Sequence, residues 1–169
     1  GQYVRIADPF TLEIETVLVG HTAAVKSLAW SPNGKLIATG GEDNTVRLWD
    51  TSGALKHVME GHKGTVNSVC FAPNSQQIAS ASRDGTVRIW NIDGKQERVL
   101  ADLKENVRDV DWSPDGETIV TGGDDRVVRL WSVDGKPGET FQGHFGPVTT
   151  VAFSHDGKRI ASGSVGAPP

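Results

Sequence analysis

The sequence predicts an all-β fold built from one four-stranded unit that is repeated along the chain, and three observations support this prediction. The 169 residues superpose on themselves after a shift of 41, so that Val25 recurs as Val66, Val107 and Val148, and such a period marks a repeat architecture. Apolar residues within a unit alternate with a period of two, as residues 45–49 illustrate, which is typical of strands. Glycine supplies 20 of the 169 residues, a larger share than the usual ~7%, and this favours tight turns over a helical bundle.

Each unit contains four short strands that are separated by turn residues. In the first full unit we expect them near residues 24–30, 36–40, 45–49 and 55–59. The segment 31–34 reads Ser-Pro-Asn-Gly, a composition that favours a tight turn. These runs predict antiparallel sheets of four strands.

The first strand of each unit is irregular. Val25, Leu28 and Trp30 cannot all face one side of a sheet under strict alternation, so we predict a β-bulge near Lys26 and Ser27. The same slip recurs in the next two units.

The absence of a linker or a shift in composition predicts one domain over residues 1–169. The last unit ends after two strands, and its missing third and fourth strands match residues 3–8 and 15–19, where Ala7 takes the place of a tryptophan. We therefore expect a composite unit formed by the two ends of the chain. The predicted units are 20–60, 61–101, 102–142, and 1–19 together with 143–165.

A lone sheet of this kind is apolar on both faces, with Ile37 on one side and Ala38 on the other. Tandem sheets could form a solenoid, a sandwich or a propeller. Radial stacking covers both faces of every sheet, and this favours a β-propeller.

Two dipeptide motifs resemble the signature of the WD-repeat family, which has a spacing of ~40–45 residues. A Gly-His pair precedes the first strand of a unit, and a Trp followed by a small polar residue ends the third. The matching dipeptides are Gly20-His21, Gly61-His62, Gly143-His144, Trp49-Asp50, Trp90-Asn91 and Trp131-Ser132. The resemblance covers essentially the whole chain and implies propeller blades whose inner strand comes first. It also implies a rigid platform on which other proteins assemble, without chemistry of its own.

The resemblance further implies a buried hydrogen-bonded chain in each blade, formed by a loop His, a turn Asp, a strand Ser or Thr and a strand Trp. The same residue types could form hydrolase triads. However, the set recurs in two units, and neither an oxyanion site nor a substrate cleft is indicated. We therefore predict no enzyme activity, no catalytic residue and no cofactor. The predicted chains comprise His21, Thr39, Asp43, Trp49, His62, Ser80, Asp84, Trp90, Thr121, Asp125, Trp131, His144 and Ser162.

Two departures weaken this pattern at particular units. In the third unit Leu103 takes the place of the loop histidine, and the last unit lacks the turn aspartate. The third unit also places Asp109 and Asp111 on the inner strand, where we expect Asp111 to face the propeller channel. Two carboxylates fall short of the oxygen ligands that Ca²⁺ prefers, so we expect hydrated side chains and no metal site.

The residues at some positions differ completely from unit to unit, while the core and turn residues, which form the frame of the unit, hardly change. The variable residues occupy the loops before the inner strands, the bulge and the position before the turn aspartate, and all lie at one end of the blades. This variety fits either neutral drift on solvated loops or a surface that binds a partner. The candidate partner face comprises Lys26, Glu42, Lys63, Asn67, Arg83, Lys104, Arg108, Asp124, Phe145 and Thr149.

Composition narrows the partners and the compartment. A formal net charge of −4 argues against nucleic acid, which binds clustered Lys and Arg. Apolar runs are too short for a membrane helix, no signal segment opens the chain, and the lone Cys70 favours the reducing cytoplasm. We predict a protein or peptide partner together with self-association as a homodimer. The main hypothesis is a non-catalytic interaction scaffold; the alternative is a natural or engineered half-propeller that homodimerises into an eight-bladed ring, and a hydrolase is a remote third.

Overall fold

A computed structural model describes residues 1–166, with the backbone alone at 101 and 102, so the last three residues of the predicted domain lie outside the described part. It confirms the predicted all-β class, since residues 1–166 contain strands and turns and no helix, and hence no helix able to cross a membrane. The strands are β1 (Val4–Ala7), β2 (Ile14–Leu18), β3 (Val25–Trp30), β4 (Leu36–Gly41), β5 (Val46–Asp50), β6 (Leu55–Met59), β7 (Val66–Phe71), β8 (Gln77–Ser82), β9 (Thr86–Asn91), β10 (Gln96–Asp102), β11 (Val107–Trp112), β12 (Thr118–Gly123), β13 (Val128–Ser132), β14 (Pro137–Phe141), β15 (Val148–Phe153) and β16 (Ile160–Ser164).

These strands form three complete antiparallel sheets, which we call blade 1 (β3–β6), blade 2 (β7–β10) and blade 3 (β11–β14). In each blade the strands follow one another in chain order, as the predicted hairpins require. The predicted bulge is confirmed, because the register slips between Val25 and Ser27. The equivalent slip occurs in β7, β11 and β15.

The turn between β3 and β4 illustrates how local sequence closes these hairpins. The Ser31 hydroxyl donates to Asn33 Oδ1 at 2.8 Å and accepts from the Leu36 N–H at 2.9 Å. Gly34 follows with a φ of 71°, a left-handed conformation that glycine adopts without steric cost. The turn is therefore fixed by its own side chains.

Neighbouring blades pack face to face along a shared apolar core. Val46 and Leu48 of blade 1 belong to one buried cluster with Val66, Val69 and Phe71 of blade 2. The approach is close at Gly40, where an added Cβ would lie 2.5 Å from Val66 Cγ1. The sheet face that a solitary blade would expose is thereby removed from water, which is the dominant stabilising effect in such a fold.

Polar bonds also cross the boundaries between blades at the inner strands. Ser27 Oγ accepts from the Val69 N–H at 3.1 Å, and Asp109 Oδ2 accepts from the Val151 N–H at 2.8 Å. Asp111 Oδ2 likewise accepts from the Phe153 N–H at 2.7 Å. The sequence predicted a hydrated carboxylate at Asp111 and did not predict this hydrogen bond from the protein.

The two ends of the chain form separate two-stranded sheets, which we call the N-terminal half-blade (β1–β2) and the C-terminal half-blade (β15–β16). Within residues 1–166, β1 pairs with β2 and β16 pairs with β15, and no further pairing joins the two half-blades. The composite unit expected from the sequence thus remains a prediction.

The N-terminal half-blade covers only the outer part of blade 1. Val4 and Ile6 pack on Ile37 and Trp49, while Leu28 and Trp30 of the inner strand are 50% and 47% exposed. Their counterparts in blade 2 are 4% and 8% exposed. Blade 1 therefore presents an uncovered apolar surface beside its inner strand.

A matching gap lies at the other end of the row of blades. A cavity of about 560 Å³ opens between blade 3 and the C-terminal half-blade, where Leu130, Phe141, Phe153 and Ile160 line it. It lies beside the half-blade that lacks its third and fourth strands. Each end of the row of blades thus presents an apolar surface that a further half-blade would cover.

Candidate functional site

Blade 2 contains a continuous chain of buried polar side chains. Trp90 Nε1 donates to Ser80 Oγ at 2.8 Å, and Ser80 Oγ lies 2.8 Å from His62 Nε2. The other ring nitrogen, His62 Nδ1, lies 3.1 Å from Asp84 Oδ2. Since a carboxylate only accepts, Nδ1 carries the proton, and a neutral ring then takes the Ser80 hydroxyl proton at Nε2. Every donor in the chain has an acceptor, as a buried polar group requires.

Asp84 is the acceptor on which this chain ends. Besides the imidazole, it accepts from the Lys63 N–H at 2.7 Å and from the Thr86 N–H and hydroxyl at 2.9 and 2.7 Å. Burial acts to raise the pKa of Asp84, but these hydrogen bonds outweigh it and hold the pKa at about 2. For His62 burial is the largest effect and lowers its pKa despite the neighbouring carboxylate, so the neutral imidazole is favoured.

Blade 1 repeats this arrangement with a threonine. Thr39 Oγ1 accepts from Trp49 Nε1 at 2.9 Å and lies 2.7 Å from His21 Nε2, while His21 Nδ1 lies 2.8 Å from Asp43 Oδ2. The Arg47 guanidinium approaches the same carboxylate at 3.6 Å. Burial again lowers the pKa of His21.

Blade 3 retains only part of the chain. Trp131 Nε1 donates to Thr121 Oγ1 at 3.0 Å, but Leu103 stands where the imidazole would be. Asp125 is left with Arg129 at 2.5 Å and the Val127 N–H at 3.1 Å. The third blade is therefore fastened by fewer hydrogen bonds.

The C-terminal half-blade substitutes a hydroxyl for the missing aspartate. His144 Nε2 lies 2.8 Å from Ser162 Oγ, and its Nδ1 lies 2.9 Å from Ser164 Oγ. Sequence reasoning named the first two residues and missed Ser164, as it missed Thr86 in blade 2. The signal for Thr86 was present, because Thr45 also stands two residues after a turn aspartate.

The chains of blades 1 and 2 are poorly placed for chemistry. Ser80 and Thr39 have no exposed surface, so a substrate cannot reach the hydroxyl that a hydrolase would use. Ser162 of the C-terminal half-blade is exposed, but its histidine has no carboxylate partner in the described part of the chain. Among residues 1–166, no three His, Cys, Asp or Glu side chains gather as a metal ion requires. The arrangement supports a fastening of the blade.

The candidate partner face is organised around a polar cavity of about 280 Å³ that spans blades 1 to 3. Thr65 and Asn106 contribute to its lining. The remaining lining residues were all predicted for the face, namely Lys26, Glu42, Asn67, Arg83, Arg108 and Asp124.

The other four predicted residues do not line this cavity. Lys63 and Lys104 are exposed, and Phe145 is 55% exposed. Thr149 is half-buried, and its hydroxyl donates to the Gly163 carbonyl at 3.3 Å. The face thus comprises a shared polar cavity and separate exposed side chains.

Hydrogen bonds order the wall of the cavity between blades 2 and 3. Asn67 Nδ2 donates to Asn106 Oδ1 at 2.7 Å and to the Val107 carbonyl at 2.8 Å. Asn106 Nδ2 in turn donates to Asp124 Oδ2 at 3.1 Å, and Arg108 pairs with the same carboxylate. Asn106 lies in one of the variable loops predicted for this face, although it was not among the named candidates, and it binds two of them.

Repeated four-stranded blades that pack face to face, each with a Trp–hydroxyl–His–Asp chain or part of one, define a WD-repeat β-propeller protein. The chain matches the family described as the IFT122 first beta-propeller over residues 1–167, and it belongs to that family.

Curated relatives match over a single repeat. The chain is 50% identical over 42 residues to the ribosome biogenesis protein erb1 of Neosartorya fischeri, which is 25% of this chain and 5% of that protein. It is 51% identical over 41 residues to the probable cytosolic iron-sulfur protein assembly protein Ciao1 of Anopheles gambiae, 24% of this chain and 12% of that protein. It is also 51% identical over 39 residues to the nuclear distribution protein PAC1 of Candida albicans, 23% of this chain and 8% of that protein. The matched segments thus cover only a small part of these relatives.

Replacing Asp84 by Ala removes the acceptor of the His62 ring, the Lys63 N–H and the Thr86 donors. We expect the free energy of unfolding at pH 7 to fall by about 1–3 kcal/mol, because partly buried donors lose their partner. Urea denaturation measures the change, and Asp125→Ala serves as the matched variant with a smaller expected loss. A free energy of unfolding for Asp84→Ala equal to that of the parent would show that the carboxylate does not stabilise the blade.

Stability should also fall as the pH drops below 6.5, the ordinary pKa of histidine. The folded pKa of His62 lies below that value, so the unfolded state binds protons first and folding is weakened as the pH falls towards the folded pKa. Urea midpoints between pH 7.5 and 5.0 measure this slope, which should be shallower for His62→Gln. NMR titration of the imidazole provides a second readout, and a midpoint at or above 6.5 in the folded protein would contradict the prediction.

Proposed function

We propose that this chain is a non-catalytic protein-interaction scaffold that binds its partners on the face formed by the loops before the inner strands. The observation that carries the proposal is the convergence of six varying residues from three blades on one polar cavity. WD-repeat proteins generally act as platforms on which other proteins assemble. The frame residues are buried, so variation at this face leaves the fold intact.

The remaining features of the face suit a protein partner. Phe145 offers an exposed aromatic ring, and aromatic residues are enriched among the side chains that dominate binding energy. Lys63 and Lys104 add exposed positive charge, which speeds encounter with an acidic surface. No cofactor is needed for such a role, and the net charge of −4 disfavours nucleic acid as the partner.

We further propose a cytoplasmic location. Cys70 is a single, unpaired thiol, as is usual in a reducing compartment. One relative carries the word cytosolic in its name.

A displayed library of random peptides tests the scaffold proposal. Peptides selected on the parent protein should bind at least ten times more weakly to a variant with Lys104→Glu and Phe145→Ala, since both side chains belong to the face. A matched variant with Lys35→Glu and Leu55→Ala alters exposed residues away from that face and should retain binding. Equal affinity of the selected peptides for all three proteins would contradict the proposal.

A second candidate function is self-assembly, which the uncovered apolar surfaces at the two ends of the row of blades favour. We propose that two chains close head to tail into an eight-bladed ring, with the C-terminal half-blade of each completing the N-terminal half-blade of the other. Leu28 and Trp30 would then be covered, and the cavity beside Phe141 would receive β1 and β2 of the partner copy. Unpaired edges of β1 and β16 invite such pairing, and a twofold axis along the channel satisfies both joints.

The angle between blades supports eight rather than four. Four blades in one ring would splay by about 90° each, whereas eight require about 45°, within the known range of blade numbers. Thr150 occupies the position of Ser27 and Asp109, whose oxygens accept N–H groups of the next blade. In the dimer Thr150 Oγ1 is expected to accept from Leu28 of the partner copy.

Light scattering at micromolar concentration tests this assembly. We expect about twice the chain mass of 18.1 kDa, and a return to the single mass for Trp30→Asp, which places a charge in the joint. Val58→Asp alters an exposed outer strand and should stay dimeric. A folded parent at 18.1 kDa would overturn the dimer.

A further inference from the structure

Arg83 is the one cationic side chain of the face cavity that has no carboxylate partner among the described residues. Lys26 lies 3.5 Å from Glu42, and Arg108 pairs with Asp124. Among the residues that the structure describes, no Asp or Glu lies within ion-pair distance of the Arg83 guanidinium. The cavity is lined by three cations and two anions, so one positive charge is left without a partner.

The backbone that carries Arg83 is held firmly. Its N–H donates to the Thr65 carbonyl at 2.8 Å, and the next residue is Asp84, whose carboxylate is fixed by four donors. Opposite it, the Asn67 and Asn106 amides hold the wall of the cavity in place. The Arg83 backbone and the two amides are therefore in place before a ligand binds, which reduces the cost of ordering on association. The exposed Arg83 side chain itself is ordered on binding.

We infer that this cavity binds the carboxylate of an Asp or Glu side chain from a partner protein, with Arg83 as its main ligand. The inference rests on the proposed scaffold function and names the partner's chemistry at that same face. A guanidinium offers a planar fork of donors that matches a carboxylate bidentately. The volume of about 280 Å³ is large enough to admit such a side chain.

Charge distinguishes a carboxylate from a phosphate here. A single carboxylate neutralises the one unpaired positive charge, whereas a phosphomonoester carries about −1.5 to −2 at neutral pH. Glu42 and Asp124 line the same cavity and repel the additional negative charge. Exposed Lys63 and Lys104 on the same face favour further acidic residues in the partner segment.

Three capped tripeptides test the inference by NMR titration of the intact chain: glycyl-glutamyl-glycine, its glutamine analogue and its phosphoserine analogue. The glutamate peptide is expected to shift the side-chain amide signals of Asn67 and Asn106, and the glutamine peptide to bind at least tenfold more weakly. Arg83→Gln should weaken the glutamate peptide about tenfold, as expected for loss of a charge-assisted hydrogen bond. Arg159→Gln, in a turn at the opposite end of the strands, should leave the affinity unchanged.

The outcomes separate this inference from the scaffold proposal. Equal binding of the glutamate and glutamine peptides, tighter binding of phosphoserine, or an unchanged affinity in Arg83→Gln each overturns the carboxylate site. If the carboxylate site is overturned but library-selected peptides still require Lys104 and Phe145, the scaffold proposal stands without the carboxylate site. Suppose instead that the glutamate peptide binds through Arg83, while selected peptides bind the parent and the Lys104→Glu, Phe145→Ala variant equally well. The scaffold proposal then fails and the carboxylate site stands. Equal urea midpoints of Arg83→Gln and the parent exclude unfolding as the cause.

Discussion

The structure depends on one constraint: each four-stranded sheet is apolar on both faces and must be covered on both. Blade 2 meets it fully, with Val66 and Phe71 against blade 1 and Val87 and Ile89 against blade 3. Burial on two sides leaves the outer strands, the strand ends and the loops in contact with water. Residues in the loops can therefore vary without disturbing the core, so a stable core and a variable face coexist in one short repeat.

The buried hydrogen-bonded chains position that face. In blade 2 the Trp90–Ser80–His62–Asp84 chain runs from the sheet to the loop before the inner strand. Because the aspartate also binds the Lys63 N–H, it joins two loops at the top of the blade. Arg83 immediately precedes this aspartate, so an interior network holds the backbone of a residue that is exposed to solvent.

The sequence was sufficient for the backbone pattern of the repeat. The strand positions and the bulge after Val25 follow from local patterns that recur every 41 residues. Contacts across blade boundaries were not predictable in this way, because the Asp109–Val151 bond and the Asn67–Asn106 pair depend on how two sheets meet. The exposure of Trp30 likewise reflects the lack of a covering blade, although its local sequence is that of a buried strand.

The bonds between inner strands have a broader consequence. Ser27 binds Val69, and Asp109 binds Val151, each 42 residues further along. At the boundary between blades 2 and 3 the Ser68 hydroxyl donates to Asp109 instead. The bonds at all three boundaries therefore join consecutive units only. Stability in such arrays is approximately a sum over units and nearest-neighbour boundaries. Duplication or loss of one whole unit in the gene would preserve all the remaining boundaries, so propellers of this kind can change their number of blades in single evolutionary steps.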